Sequence, residues 1–528
     1  MAFEKPGQFF GRAARQGGHK QLFVAVVAVV ALALAACTST QPPTPGESDI
    51  REVLETAFEN IEDRYAGDVT SRDLSIDGLN ALADADPVLR IAVADETVSV
   101  IYDDRPLASW KSPPSRAYER WAALCANAMA VSLQESTTLS KQGREAALKR
   151  FFRGGLANLD QYTRYATPGE AGLTRARREG FGGLGITINY EEGRTSIRKV
   201  HAGTPAFKAG LQVGDTITHV GDIPLMGLSQ RSVVARLRGP VHSLANLIVH
   251  RPGAPGPLKI NVIRAHIILP TVETKQDGNI LTIEISGFNQ GTSRSLGKAL
   301  AEAEREMSGG LKGIVLDLRG NPGGLLDQAV AVADFFLNDG RIISTRGPHR
   351  RANQIFDASW GERVRKLPIV VLLNGRSASA SEIVAAALRD SGRAVVVGAS
   401  SFGKGSVQTI IRLPNGGELT LTWAHMIAPS GFSLQGHGII PAICTSGEEE
   451  RLGISRAMAE KNAAGLRFLR MHLAKRQVNR HDPNRARKLC PPSKEKPAED
   501  LAVARFILGN LSIYNQSLKD GGPMIAEH

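Results

Sequence analysis

The sequence predicts a mixed α/β protein with a β-rich module set into it. Two observations carry this reading. Apolar runs of strand length each end in a turn of small residues and continue into helix formers. Leu311 to Leu318 runs into Arg319-Gly320-Asn321-Pro322-Gly323-Gly324 and then a helix from Leu325 to Leu337, and Leu367 to Leu373 runs into Asn374-Gly375-Arg376-Ser377-Ala378-Ser379-Ala380-Ser381-Glu382-Ile383 and the helix formers Val384 to Leu388. Between residues 180 and 265 the pattern changes to alternation punctuated by glycines, which marks a compact β module. Frequent glycine (54 residues) and few aromatics (5%) agree with many turns.

The N-terminus reads as targeting sequence. Arg12, Arg15 and Lys20 form a basic region, and Leu22 to Ala36 is an apolar run of 15 residues that ends at Leu34-Ala35-Ala36-Cys37. The run is short for a membrane span and fits a signal-peptide core. The small residues before Cys37 resemble a bacterial lipobox, which implies lipidation of Cys37 and a chain anchored in the cell envelope. Thr38 after the cysteine favours the outer membrane where there is one, with the protein facing the periplasm. Residues 38–47 are a Pro/Thr/Ser-rich tether. Ile50 to Tyr65 is amphipathic at helical spacing, Ile91 to Trp110 alternates like a hairpin turning at Asp103-Asp104, and Ser115 to Leu139 and Lys141 to Asn158 are helical. Residues 48–179 are therefore a mainly helical region.

In the β module, Gly182, Gly183, Leu184, Gly185 and Ile186 open a strand. With Gly180 they fit the dinucleotide pattern G-x-G-x-x-G, but that motif must open a helix, whereas Ile186, Ile188 and Tyr190 alternate as a strand does. Glycines opening a strand instead free backbone N–H groups to form an anion nest, and the strand offers an edge to an added peptide. Beyond the module, Ile280 to Ile285 is a strand, Thr292 to Met307 a helix, Ala394 to Gly398 a strand and Gln408 to Trp423 a hairpin. The chain from Glu448 is helical and basic, Asp482 to Lys496 has the composition of a flexible stretch, and Leu501 to Leu511 is a last helix.

Composition narrows the function. The net charge of +12 is spread without a block of five or six consecutive basic residues, so nucleic acid is not an expected partner. The cysteines and the 12 histidines show no zinc spacing, and no metal or cofactor is expected. After Cys37, three cysteines remain; Cys444 and Cys490 flank the C-terminal region and are the expected pair, with Cys125 left over.

The chemistry concentrates at the turn 374–383. A serine where a strand turns sharply into a helix is held exposed beside the helix's positive end. Downstream, Ser401-Phe402-Gly403-Lys404-Gly405-Ser406-Val407-Gln408 sets a lysine between glycines. The plain alternatives are an ordinary small-residue turn and a solvated lysine. Ser401 to Lys404 also fits the S-x-x-K of penicillin-binding proteins, but that motif works from a helix, which Gly403 and Gly405 disfavour.

The ordered set L-D-x-Y-T (Leu159 to Thr163), the β module, D-L-R-x-N-P-G-G (Asp317 to Gly324), S-A-S-A-S-E-I (Ser377 to Ile383), F-G-K-G-x-V-Q (Phe402 to Gln408) and G-I-x-P (Gly438 to Pro441) resembles the carboxy-terminal (tail-specific) processing proteases of peptidase family S41. The resemblance runs from about Leu159 to Pro441. It implies a crotonase/ClpP-like serine protease core over residues 266–445, an inserted PDZ domain over 180–265 and a helical C-terminal region over 446–528. It implies Ser379 as nucleophile, Lys404 as general base, Gln408 as the residue orienting it, and an oxyanion hole of Ala380 with Gly323 or Gly324. It further implies a PDZ nest at Gly182 to Ile186 for the substrate's C-terminal carboxylate, and Arg238 as a gating residue. Two departures are Val241-His242-Ser243, where the family carries a glycine, and Ala442, where it often has aspartate. The expected function is a serine endopeptidase that cuts envelope proteins near their exposed C-terminal tails. The alternative is a catalytically silent peptide-binding scaffold on the same fold. Whether the chain works as a homo-oligomer or with an adaptor is left open by the sequence, as is the role of the insertion Asp86 to Ser140.

Overall fold

The computed structural model describes residues 50–306, 310–359, 361, 364, 367–446 and 482–522. The signal segment with Cys37, the tether, and the expected basic helical stretch through residue 481 lie outside the described residues.

The N-terminal region is built on helices α1 (Ile50–Arg64) and α2 (Ser71–Ala83). Helix α2 starts where the Thr70 side chain accepts from Asp73 N. The segment expected as one hairpin is a three-stranded meander, β1 (Leu89–Ala94), β2 (Thr97–Tyr102) and β3 (Arg105–Lys111). Asp103-Asp104 does form a turn, and Asp95-Glu96 forms another, all four residues having positive φ. Helices α3 (Tyr118–Glu135), α4 (Thr137–Gln142) and α5 (Arg144–Gly155) follow. Their apolar faces, with Trp121, Phe151 and Phe152 fully buried, share one core with Leu419 and Leu421, far along the chain. The insertion is thus part of a continuous core rather than an appendage.

Strand β4 (Arg164–Ala166) and helix α6 (Pro168–Glu179) lead into the β module. A capping box between Thr167 and Glu170 starts α6. The module comprises β5 (Phe181–Gly183), β6 (Ile186–Glu191), β7 (Arg194–Val200), α7 (Pro205–Lys208), β8 (Thr216–Val220), β9 (Ile223–Pro224), α8 (Gln230–Leu237), β10 (Leu244–His250), β11 (Leu258–Ile263) and β12 (Ala265–Ile267). Its sheet runs β11-β10-β8-β7-β6, which leaves β6 as an open edge.

The remaining elements are β13 (Val272–Asp277), β14 (Ile280–Ile285), α9 (Thr292–Glu306), β15 (Gly313–Asp317), α10 (Leu326–Asp334), β16 (Arg341–Arg346), β17 (Gln354–Asp357), β18 (Ile369–Leu373), α11 (Ala380–Asp390), β19 (Val395–Gly398), β20 (Ser406–Arg412), β21 (Glu418–Ile427) and β22 (Ile443–Cys444). They make a six-stranded sheet, β13-β14-β15-β18-β19-β22, parallel from β14 onward, and a second sheet, β17-β16-β21-β20, with β4 paired to β21. Strands β15 and β18 are buried throughout, as a parallel sheet covered on both faces requires.

The second cover comes from the C-terminus. The stretch expected to be flexible, Asp482 to Lys496, instead contains helix α12 (Pro483–Leu489), and α13 (Ala498–Leu508) and α14 (Leu511–Asp520) follow. Val503, Ala504, Ile507 and Leu508 of α13 pack on Val315, Val370, Leu372, Val395 and Val397. Burying such a side chain contributes about 1.5–3 kcal/mol, so α13 is a structural member of the sheet. The Cys444–Cys490 disulfide spans 46 positions and fixes α12 to the end of β22, while Cys125 is free and buried. Among the described residues no helix is long and apolar enough to cross a membrane.

Candidate active site

Three serines stand at the turn between β18 and α11, and their surroundings separate them. Ser377 is fully buried; its hydroxyl donates to Leu318 O and accepts from Asn374 N. Ser381 is fully buried and donates to Asn321 O. Both hold the turn to the D-L-R-x-N-P-G-G segment. Ser379 is half-buried and stands at the head of α11 with φ 57° and ψ −113°, a conformation that non-glycine residues rarely adopt.

Glu382, one turn into α11, is fully buried and ties the elbow to the lysine loop. Its Oε2 accepts from Ser379 N at 2.7 Å and from Lys404 N at 2.9 Å. Its Oε1 accepts from Gly403 N and from the Ser401 hydroxyl, which itself accepts from Ile439 N. Burial pushes the Glu382 pKa up, while the donors oppose the shift. Four donors and no acceptor suit the carboxylate form. Phe402 N also donates to Ser377 O, a second tie between the two segments.

The glycines around Lys404 are required by close approach. A Cβ on Gly405 would lie 2.2 Å from Gln435 N, and one on Gly438 would lie 2.6 Å from the Ser401 hydroxyl. Lys404 Nζ lies 4.7 Å from the centre of the Tyr162 ring, in cation–π range. Burial is the main cause that lowers its pKa; the nearby Arg164 adds to this, and Glu382 and Asp160 oppose it. Among the described residues Lys404 Nζ makes no hydrogen bond to Ser379 Oγ. Gln408 makes none to Lys404 either: its amide donates to Ser406 Oγ at 2.9 Å and to Thr422 Oγ1. Thr422 Oγ1 donates in turn to Asp160, whose carboxylate also accepts from Tyr162 N and Thr163 N. The L-D-x-Y-T segment therefore sets Tyr162 beside the lysine. Residue-level reading passed over Glu382, Asp160 and Tyr162, although all three lie inside motifs visible in the sequence.

The two glycines of the turn 321–324 differ. Gly323 packs against the elbow, where a Cβ would lie 2.9 Å from Ala380 N, but its own N–H donates to Asn321 Oδ1. The N–H groups of Gly324 and Ala380 have no partner among the described residues. Asn321 is fully buried and braced through its side chain to Ile285 O.

In the β module, Gly185 has φ 85°, and a Cβ there would lie 2.2 Å from Thr204 Cβ. The N–H groups of Leu184 and Gly185 have no partner among the described residues, and Gly182 O accepts from Gly239 N. Helix α8 flanks this opening, with Val233 and Leu237 buried in the module's core. Arg238 follows α8, and its guanidinium lies 3.9 Å above the Phe181 ring. Among the described residues no group of His, Cys, Asp and Glu is placed to hold a metal ion.

Known proteins resemble this chain in both its core and its β module. Residues 279–445 match the model of peptidase family S41, and residues 196–251 match a PDZ domain model. A carboxy-terminal-processing protease of Bartonella bacilliformis is 42% identical over 298 residues, which is 56% of this chain and 69% of that protein. The chain belongs to the carboxy-terminal-processing proteases of family S41. Another relative in this family, the carboxy-terminal processing protease CtpA of Bacillus subtilis, is 34% identical over 50% of this chain and 56% of its own length. The chain thus spans little more than half of that relative. A solved photosystem II D1 C-terminal processing protease is 28% identical over 61% of this chain and 85% of its own, with a TM-score of 0.35. The S41 peptidase, its PDZ domain and the helices at both ends make up a mixed α/β protein, as the sequence predicts.

Proposed function

We propose that the protein is a serine endopeptidase that takes the free C-terminal tail of a protein substrate in its PDZ domain and cuts the chain with a Ser379/Lys404 dyad. One observation carries this reading: a single carboxylate oxygen of Glu382 accepts from the backbone N–H of both Ser379 and Lys404, so one buried group fixes both segments. Lys404, with its pKa lowered by burial, takes the Ser379 proton as a neutral amine. Ser379 Oγ attacks the scissile carbonyl. The oxyanion is received by Ala380 N–H and by Gly324 N–H, since Gly323 already donates within its own turn. The lysine ammonium then gives its proton to the leaving amine, and water resolves the acyl-enzyme.

For tail capture, Leu184 N–H and Gly185 N–H receive the terminal carboxylate while the peptide adds to the open edge of β6. Arg238, stacked on Phe181 at this opening, couples tail binding to the site. Lipidation of Cys37 holds the enzyme at the envelope membrane on its periplasmic side. The second reading, a silent scaffold, draws on the open dyad, in which no hydrogen bond joins Ser379 Oγ to Lys404 Nζ.

The test is cleavage of an unstructured, tail-bearing protein by wild type, Ser379→Ala and Lys404→Ala. Wild type cuts and each alanine variant loses at least about 1000-fold in kcat. Equal cleavage by the variants removes the dyad, and an inert wild type favours the scaffold.

A further inference from the structure

The backbone of the lysine loop is held from outside the peptidase core. Arg487, on α12, donates from Nη1 to Ser401 O at 2.8 Å and to His437 O at 2.6 Å, and from Nη2 to Phe402 O at 3.2 Å. Ser401 and Phe402 directly precede Gly403-Lys404, and His437 lies in the turn 435–437, next to Gly436, whose N–H donates to Gly403 O. Burial lowers the Arg487 pKa, and the charge of Glu382 opposes that shift. Three residues on, Cys490 O accepts from the Ser400 hydroxyl. The following strap reaches the other half of the site: Ser493 O accepts from Gly375 N, and Glu495 O accepts from the Asn374 side chain. Pro497 O and Asp500 accept from Arg319. Every one of these bonds comes from a segment beyond the family match, which ends at residue 445. The Cys444–Cys490 disulfide pins that segment to the strand leaving the core.

We propose that Arg487 is a positioning residue for the Lys404 loop, held in place by the Cys444–Cys490 disulfide, so that peptide cleavage depends on that disulfide being formed. The proposal rests on the reading of Lys404 as general base. A planar fork spanning carbonyls from two segments fixes where the loop's backbone runs, and with it where the amine stands relative to Ser379. Without the disulfide, α12 is a short helix held on the core by the buried Ala486 and a few polar bonds. Reduction by a dithiol breaks the S–S bond, adds two electrons and two protons to give two thiols, and oxidises the reductant to its own disulfide.

The experiment uses the full chain and a quenched unstructured peptide with a free C-terminal carboxylate. Arg487→Ala lowers kcat by about 10- to 100-fold with KM within about twofold, because the loop misplaces the base without altering tail capture. Added guanidinium ion restores part of kcat in Arg487→Ala, and Arg487→Lys remains slow because an ammonium does not reproduce the fork. Arg485→Ala, an exposed change on the same helix, leaves kcat unchanged. Dithiol treatment lowers kcat of the wild type, and Cys444→Ser/Cys490→Ser is slow and insensitive to dithiol. Wild-type kcat in Arg487→Ala, or in the fully reduced wild type, overturns the proposal. So does a loss in Arg487→Ala that guanidinium does not recover, since that marks general destabilisation. Ser379→Ala, run alongside, separates the two readings: if it cleaves like wild type the dyad fails, whereas an inactive Ser379→Ala beside a fully active Arg487→Ala sinks only the positioning role.

Discussion

At the scale of single residues, the proposed dyad turns on a lysine that must be neutral to act as its base. Burial lowers the Lys404 pKa from its ordinary value of 10.5, and Arg164 is the like charge that helps. The sign follows directly. Only the deprotonated amine accepts the serine proton, so kcat/KM rises as pH passes upward through the lowered pKa. Removing the Arg164 charge relieves repulsion on the ammonium, which raises the pKa and moves the acid limb of the profile to higher pH. Arg164→Ala is therefore expected to move that limb to higher pH, read from kcat/KM against pH. An unmoved limb would show that burial alone sets the lysine. Gln408 marks the limit of residue-level reading. Its place four residues after Lys404 suggested an amide aimed at the amine, yet the strand carries it to Ser406 and Thr422. Spacing in sequence gives reach, whereas direction depends on the neighbours across the sheet.

At the scale of elements, the elbow and the lysine loop were legible because their signals are local. A buried strand, a small-residue turn and a helix are all written within about twenty residues, and close backbone approach calls for glycine wherever the loop must pack. The segment Asp482 to Lys496 was misread for the opposite reason. Its prolines, lysines and short apolar content describe a chain with little local preference, and its order comes from a disulfide and from bonds to residues more than a hundred positions away. Helix α2 escaped notice because its amphipathic pattern is weak and two of its buried positions are serines, Ser71 and Ser75. The C-terminal elements carry their own prediction. Asp500 is 2% exposed and accepts from Arg319 Nη1 and the Thr445 hydroxyl. Asp500→Ala leaves those buried donors without this acceptor and is expected to lower unfolding stability by about 2–4 kcal/mol, measured by urea titration. A loss under about 0.5 kcal/mol would mean that the strap is not energetically coupled to the sheet.

At the scale of the whole molecule, the helix leading into the PDZ domain is tied to the hairpin β20–β21. Arg175 and Arg178 on α6 converge on Glu418, which is 2% exposed at the start of β21. Helix α6 ends at Glu179, directly before the β module, and so joins that module to the hairpin that follows the lysine loop. The chemistry of the tail is then the variable that matters. Amidating the substrate's C-terminus removes the charge received by Leu184 and Gly185 N–H, and is expected to raise KM by about tenfold or more while kcat at saturation changes little. An unchanged KM would remove carboxylate capture from the reading.

The open edge of β6 has a second side. A row of unpaired backbone groups welcomes any extended chain, including an unfolding neighbour or another copy of the same protein, and such edges are a common route to self-association. Here the exposed strand is six residues long and alternates Thr187, Asn189 and Glu191 with its apolar residues. Carboxylate capture, as proposed, adds a further filter. An internal segment can find the hydrogen-bond ladder but has no carboxylate to place on Leu184 and Gly185, so only a true chain end completes the contact. The glycine-rich opening of β6 thus doubles as a safeguard: the device that reads tails also keeps a sticky edge from accepting everything else.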